Sequence, residues 1–259
     1  MDPNSAGYLL GSDWPAAYWG PERLDPQAWR ELTSLIDARE EVRALVAAMR
    51  GVTSIVDVGG GTGLLTRELA ERVAPVVVIE PSAAQRAGLP AAGEETRITS
   101  VAGRAERVPL ADGAVDGAMA TWVLQYTDDP DAAVRELARV ARKRVVIVQA
   151  GPRNDLVEVF NAECAVAGLP RAHHGWLLAR AVGILEAAGW TVELSAVATT
   201  VAAPDGGATE LADVLARLHF AGHARIAEMR AATKPMILER LRVNVGVLRD
   251  DAVMLVGRR

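Results

Sequence analysis

The chain has little of what a disulfide-bonded, secreted or membrane-spanning protein needs. Cys164 is the only cysteine, which excludes an intrachain disulfide and a thiolate metal cluster. No apolar run approaches the roughly 18–20 residues that cross a bilayer. The first residues also lack the basic and apolar regions of a signal peptide. Together these absences predict a cytoplasmic protein with no membrane partner.

Excess positive charge is absent too. The net charge is -5, from 28 Lys and Arg residues against 33 Asp and Glu residues, and such a balance argues against nucleic acid as a partner. The basic cluster at 139–144 follows a predicted helix, where cations complement the negative helix end. With 259 residues, 50% of them hydrophobic, the chain can bury one sizeable core.

What the chain does have is a glycine-rich turn after a β-branched apolar run. Residues 55–58 are followed by Gly59, Gly61 and Gly63, and then by an apolar pattern typical of a helix. A strand-to-helix turn of this kind lets a ligand lie against bare backbone at the helix N-terminus. Leu64 stands where a dinucleotide fingerprint needs a small residue, which disfavours a nicotinamide cofactor.

A carboxylate follows the next predicted strand. The apolar run 76–79 ends at Glu80, where the two ribose hydroxyls of a nucleoside would arrive. A glycine turn alone is weak evidence for any ligand. Joined to an acid at the end of the next strand, it predicts a nucleoside cofactor.

Further motifs follow in a recognisable order. They are Ala105-Glu106 within 101–112, a strand over 115–122, Asp128-Asp129-Pro130, and a helix over 134–140. From about residue 55 to residue 149 the chain resembles the class I S-adenosylmethionine-dependent methyltransferases, in particular their UbiE-like small-molecule branch. Two departures are Arg104, where an acid often precedes the Ala-Glu pair, and 141–144, which replaces the usual Pro-Gly-Gly turn.

The resemblance implies an α/β, Rossmann-like fold with helices on both faces of a seven-stranded, mostly parallel sheet. The implied strand order is 3-2-1-4-5-7-6, with strand 7 antiparallel. The implied cofactor is S-adenosyl-L-methionine, with S-adenosyl-L-homocysteine as product: the glycine turn holds its methionine part, Glu80 its ribose, and Ala105-Glu106 lies beside its adenine. The predicted cofactor-binding residues are Asp57, Gly59, Gly61, Gly63, Glu80, Ser82, Arg104, Ala105, Glu106 and Thr121.

Four regions are predicted along the chain. An N-terminal helical strap at 1–50 serves as a lid, and a cofactor-binding core spans 51–202. A helical insertion at 203–250 caps the substrate, and the last core strand lies at 251–259. The aromatic opening, which includes Tyr18 and Trp19, has two interpretations: padding for the sheet edge, or a lid that closes on substrate and excludes water.

Methyl transfer from a sulfonium needs position, alignment and a dry cavity, and it needs a general base only when the acceptor arrives protonated. No catalytic motif is therefore obligatory. Because ligands bind beyond the carboxyl ends of parallel strands, Trp122 and Tyr126 are predicted to lie beside the donor methyl. His219 and His223 are four residues apart, so both can face one side of a helix. A metal pair lacks a third ligand, and we assign no metal. Two roles for these histidines remain possible. One is a base that faces the substrate, which we assign to His219, and the other is a histidine at the surface or with its hydrogen bonds already made.

The predicted substrate-binding residues are Tyr18, Trp19, Trp122, Tyr126, His219 and His223. We predict a methyltransferase acting on O, N or C of a small molecule or short peptide in secondary metabolism, as a monomer or homodimer. The first alternative is a methyltransferase-fold protein that binds the cofactor but runs another reaction or only binds ligand. The second is a nicotinamide-linked oxidoreductase. An RNA methyltransferase is disfavoured by the acidity and by Thr121-Trp122 where an Asn/Asp-Pro-Pro-Tyr motif would stand.

Overall fold

The computed structural model describes residues 24–90, 97–169 and 175–259, which form a mixed β-sheet with helices packed on it. The strands are β1 (Ile36–Asp37), β2 (Ile55–Val58), β3 (Val76–Ile79), β4 (Ile98–Val101), β5 (Val115–Thr121), β6 (Ala141–Asn154), β7 (Thr191–Val197), β8 (Thr200–Ala202) and β9 (Val247–Arg258). The helices are α1 (Pro26–Leu35), α2 (Arg39–Ala48), α3 (Leu64–Arg72), α4 (Ala83–Arg86), α5 (Pro130–Val140), α6 (Asp155–Ala167), α7 (Gly175–Ala187), α8 (Gly207–Phe220) and α9 (Ile226–Val243). None of the helices in these ranges has the length and apolar character of a membrane span.

Seven of the strands form the sheet that the resemblance implies. Their spatial order is β4-β3-β2-β5-β6-β9-β7. The pairs from β4 to β6 are parallel, and β9 runs antiparallel to both β6 and β7. Numbered along the chain, this is the order 3-2-1-4-5-7-6, and the predicted fold class is confirmed.

Two short strands extend this sheet beyond the prediction. The last strand starts at Val247, ahead of the predicted boundary at 251, and its first residues pair with β8 rather than with β7. The chain from Thr191 to Ala202 is accordingly divided into two strands, β7 and β8. Because the extension of β9 needs partners for its backbone N–H and C=O groups, β8 pairs with it, and β1 pairs with β8 in turn.

Helices cover both faces of the sheet because side chains alternate in direction along each strand. In β6, Val145 and Ile147 belong to an apolar cluster with α5 and α7, whereas Val146 and Val148 belong to a second cluster with α2 and α3. β2 is buried along its whole length. Burial on both faces explains why β2, apart from Asp57, and residues 145–148 of β6 are apolar.

A third apolar cluster joins α1 to the helices that precede the last strand. Leu32 of α1, Leu211 of α8 and Ile237 of α9 all belong to it. The N–H of Asp25, just before α1, donates to the carbonyl of Leu218 at 3.1 Å. These contacts make α1, α8 and α9 one packed unit, which places parts of α1 and α8 beside the site described next.

Candidate functional site

The glycine turn forms the floor of a cavity at the carboxyl end of β2. Gly59, Gly61 and Gly63 have φ values of 75°, 57° and 84°, in the left-handed region that glycine tolerates best. A Cβ on Gly59 would lie 2.5 Å from a methyl group of Val123, whereas the nearest atom to a Cβ on Gly61 is Trp29 Nε1 at 3.8 Å. Gly59 is therefore required by packing, and Gly61 leaves bare backbone toward the cavity.

Glu80 lies at the end of β3, only 3% exposed, with its carboxylate held between two backbone donors. Its Oε2 accepts from the N–H of Gly61 at 3.2 Å, and its Oε1 accepts from the N–H of Ser82 at 2.8 Å. Burial raises the pKa of Glu80, and the two backbone hydrogen bonds oppose that rise. Each carboxylate oxygen has two acceptor sites, so the fixed carboxylate can accept two further donors, as a ribose diol would supply.

Ser82 helps to hold the Glu80 carboxylate in place without lining the cavity. Besides the backbone N–H that holds Glu80, its side-chain oxygen accepts from the N–H of Gln85 at 3.3 Å and caps α4. Gly63 similarly serves as the N-cap of α3. These two predicted cofactor residues position their neighbours and do not line the cavity wall.

Asp57 places a second buried carboxylate at the cavity. Its Oδ2 accepts from the hydroxyl of Thr66 at 2.5 Å, and within the described residues its buried Oδ1 has no hydrogen-bond partner. Burial raises the pKa of Asp57 to about 7. An orphaned buried acceptor of this kind fits a ligand that brings an N–H donor, such as the α-ammonium group of a methionine moiety.

The segment with the Ala-Glu pair closes another side of the cavity. Glu106 Oε1 accepts from the N–H of Asp128 at 2.7 Å, and the Arg104 guanidinium pairs with Asp128 at 2.7 Å and with Glu106 at 3.5 Å. Ala105 between them is buried. Arg104 therefore ties this segment to the chain after β5.

Trp122, directly after β5, has an unusual backbone and a buried partner. Its φ of 60° is rare for a bulky residue, and such strain is found where function requires it. The indole Nε1–H donates to Glu41 Oε1 at 2.9 Å. Glu41 is 3% exposed, and burial raises its pKa to about 8. This contact fixes the Trp122 ring at the cavity.

These residues line a cavity of about 1090 Å³, counted with the open solvent at its mouth. Among the residues that line it are Trp29, Glu41, Asp57, Gly59, Gly60, Gly61, Glu80, Arg104, Ala105, Glu106, Thr121, Trp122, Tyr126 and Asp250. Eight of the ten predicted cofactor-binding residues thus lie together on its wall.

A second cavity, of about 750 Å³ counted with the open solvent at its mouth, adjoins the first. The two share the lining residues Trp29, Ile36, Trp122, Tyr126 and Asp250. In the second cavity the Tyr126 hydroxyl lies 3.1 Å from His219 Nε2, and the His219 ring lies 4.2 Å from that of Phe160 between centroids. Burial raises the pKa of Tyr126 to about 12, so the phenol stays protonated.

The other predicted substrate residues have different positions. Tyr18 and Trp19 lie outside the described residues. His223 does not accompany His219: its Nδ1 accepts from the N–H of Arg225 at 3.1 Å, and its ring meets the edge of Phe220. His223 thus stabilises the turn between α8 and α9.

Three buried acids at the two cavities were not predicted. Glu41 and Asp250 line the first cavity, and Glu163 and Asp250 line the second. Asp250 Oδ1 accepts from Asn154 Nδ2 at 2.7 Å, and burial raises its pKa to about 7. A signal was present for Glu41, which keeps helical spacing with Leu45 and so occupies a core position of α2.

The comparisons with known proteins concern the family and the fold. Residues 56–148 match the model of a family described as a methyltransferase domain. A demethylmenaquinone methyltransferase from Mycolicibacterium paratuberculosis is 35% identical over 120 residues, which cover 45% of this chain and 50% of that relative. The chain thus spans about half the length of the curated relatives it matches.

Solved structures share the fold across most of the chain. A protein from Anabaena variabilis, provisionally assigned as a methyltransferase of an antibiotic biosynthesis pathway, has a TM-score of 0.60 and 20% identity, with 88% of this chain and 100% of that one covered. The [4+2]-cyclase SpnF has a TM-score of 0.53 and 19% identity, with 99% of this chain and 92% of that one covered. The same fold therefore accommodates more than one reaction.

Proposed function

We propose that this chain, which carries a class I S-adenosylmethionine-dependent methyltransferase domain, transfers a methyl group to a small molecule held in the second cavity. One observation carries the proposal. The predicted cofactor cavity and the second cavity share a wall that includes Trp122 and Tyr126, so a donor in one can lie against an acceptor in the other.

The described residues fit the cofactor. Glu80 would accept the two ribose hydroxyls, Asp57 Oδ1 would accept a donor from the methionine moiety, and the backbone at Gly61 leaves room for its chain. When bound, S-adenosylmethionine supplies a methyl group on a sulfonium, an electrophile that needs no further activation.

The remaining task of the protein is to position the acceptor and exclude water. Trp122, whose ring is fixed by Glu41, would form the floor between the two ligands. Where the acceptor arrives protonated, His219 would take its proton, with Tyr126 as the hydrogen-bond partner that orients the imidazole. The predicted strap at 1–50 and the insertion at 203–250 would close over the acceptor.

The proposed acceptor is a small molecule or short peptide, methylated on O, N or C. The second cavity is lined mainly by apolar side chains, which supports an acceptor with an apolar body. Relatives named demethylmenaquinone methyltransferase also support a small-molecule acceptor. We further propose a cytoplasmic monomer or homodimer with a role in secondary metabolism.

Titration calorimetry tests the cofactor half of the proposal. We expect S-adenosylhomocysteine to bind with one-to-one stoichiometry and NADH to release no heat. The reverse result would favour the oxidoreductase alternative.

Methyl transfer itself needs a second experiment. The protein is incubated with methyl-labelled S-adenosylmethionine and a small-molecule extract of its source cells, and labelled products are sought by mass spectrometry. We expect a labelled small molecule that is absent when the protein has been heat-denatured. Cofactor binding without any labelled product would contradict methyl transfer and leave a ligand-binding or other reaction on this fold.

A further inference from the structure

The second cavity is acidic as well as apolar. Among the described residues that line it, Glu163 and Asp250 carry carboxyl groups, and none is Arg or Lys. Asp250 already accepts a hydrogen bond from Asn154. The described wall therefore offers neither Arg nor Lys to an anionic acceptor, and it offers carboxyl groups to a cationic one.

Glu163 is the group in this cavity that most needs a ligand. It is 1% exposed, and neither of its carboxylate oxygens has a hydrogen-bond partner within the described residues. A buried carboxyl group without partners lowers stability. Folding alone therefore gives no reason for an acid at this position of α6, whereas a ligand with hydrogen-bond donors does.

The surroundings of Glu163 suit a cation in particular. Phe160 precedes it by one turn of α6, so the two side chains lie on the same face of the helix. Trp29, Trp122 and Tyr126 line the same cavity. Aromatic faces attract ammonium groups through their quadrupole, and the attraction strengthens when the cation leaves water.

We infer that the second cavity selects an acceptor that carries a protonated amine, with Glu163 accepting its N–H donors among the aromatic side chains. The inference rests on the proposed function, because it names the class of molecule that the methyl acceptor belongs to. The ammonium group is the anchor that sets the orientation of the molecule against Trp122 and the cofactor cavity. A carboxylate or phosphate in the same place would meet carboxyl groups and, on the described wall, neither Arg nor Lys.

Three probes of similar size and different charge test this inference. They are 2-phenylethylamine, 2-phenylethanol and 3-phenylpropanoate, and their dissociation constants are measured by calorimetry at pH 7 with and without saturating S-adenosylhomocysteine. We expect the amine to bind on the order of 10–100-fold more tightly than the alcohol, the range for a hydrogen bond to a charged group. We expect the carboxylate to bind most weakly.

Two variants assign the preference to Glu163. Glu163→Gln keeps the shape of the side chain and removes its charge, and we expect it to bind the amine and the alcohol with similar affinity. Glu163→Leu provides the same comparison with an apolar side chain. Glu158→Gln is the matched control on α6, because Glu158 pairs with Arg240 at the surface, and it should keep the preference of the wild type.

Each outcome decides the inference. Equal affinity for amine and alcohol in the wild type, including undetectable binding of both, overturns it, as does a preference that survives in Glu163→Gln. Failure of the proposed function is a separate result, seen as absent S-adenosylhomocysteine binding or absent label transfer. The affinities for the amine and the alcohol are also measured without S-adenosylhomocysteine. The inference is therefore tested even if the protein does not bind S-adenosylhomocysteine.

Discussion

The two cavities differ in how their charged groups are held. In the first cavity, Glu80 accepts hydrogen bonds from the N–H groups of Gly61 and Ser82. These donors lie just after the ends of the neighbouring strands β2 and β3. In the second cavity, Tyr126 meets His219 from 93 positions away, and Glu163 has no partner within the described residues. In the first cavity, the backbone beside Glu80 supplies the partners of its carboxylate. The second is completed by packing between distant helices, and its unsatisfied carboxyl group is available to a ligand.

From this contrast we expect the substitution with the largest effect on methyl transfer to lie in the second cavity. His219→Ala should lower the rate of methyl transfer by roughly 10²–10⁴-fold at neutral pH if His219 takes the proton of the acceptor. Affinity for S-adenosylhomocysteine should stay unchanged, because His219 does not line the first cavity. Single-turnover kinetics measures the rate.

His223→Ala is the matched control, since His223 lies on the turn after α8 and contacts Arg225 and Phe220 instead. It should retain the wild-type rate. A full-rate His219→Ala enzyme would remove the base assignment and leave positioning as the catalytic device.

The glycine turn allows packing and ligand binding to be separated within the first cavity. Gly59→Ala and Gly61→Ala share the strain of a positive φ, but only the Gly59 methyl group would meet Val123, at 2.5 Å. We expect Gly59→Ala to lose about 1–3 kcal/mol more unfolding free energy than Gly61→Ala, the usual cost of overpacking. Urea denaturation measures the difference.

Gly61→Ala should show the opposite profile, a retained fold with weaker S-adenosylhomocysteine binding, because its methyl group points toward the cavity near Trp29. Wild-type affinity in a folded Gly61→Ala protein would mean that this backbone does not contact the cofactor.

Glu80→Ala tests the ribose assignment. Removing the carboxylate leaves buried hydroxyls of the ligand without acceptors, so binding of S-adenosylhomocysteine should weaken by about 1–3 kcal/mol. Calorimetry on the variant and on Glu71→Ala, an exposed acid at the end of α3, provides the comparison. Equal dissociation constants for the wild type and a folded Glu80→Ala protein would exclude Glu80 from the site.

The smallest effect concerns the stability cost of the unpaired acid. Burial raises the pKa of Glu163 to about 8 from its ordinary 4.5. Between these values the folded protein holds a proton that the unfolded chain releases, so Glu163 lowers stability as pH rises. Glu163→Gln does not titrate, and we expect it to be more stable than the wild type by on the order of 1–2 kcal/mol near pH 8, with a smaller gain near pH 5.

Denaturation curves at several pH values measure the difference in stability between Glu163→Gln and the wild type. For Glu158→Gln, the difference from the wild type should not change with pH. A gap that stays constant with pH would mean that Glu163 does not titrate in the predicted range. A less stable Glu163→Gln would show that the carboxylate has a stabilising partner.

Much of the fold follows from local patterns. β2 and β3 are short β-branched runs buried by the helices around them, and the glycines at 59–63 require a turn that few other residues can adopt. The β8–β9 pairing was missed because nothing in the sequence near β8 reveals that β9 begins at Val247. A short edge strand such as β8 forms because its backbone groups pair with those of a neighbouring strand. That neighbouring strand, β9, is distant in the sequence.

Local sequence determined the cofactor half of this protein, because its glycine turn and Glu80 lie at the ends of adjacent parallel strands. Such residues meet wherever those strands pair, whatever the rest of the chain does. Only the tertiary structure decided the second cavity. Glu41, Glu163 and Asp250 come from α2, α6 and β9, and nothing short of the packing of those elements brings their carboxyl groups to the two adjoining cavities. Their burial, which sets their charge and their need for partners, is a property of the folded chain alone.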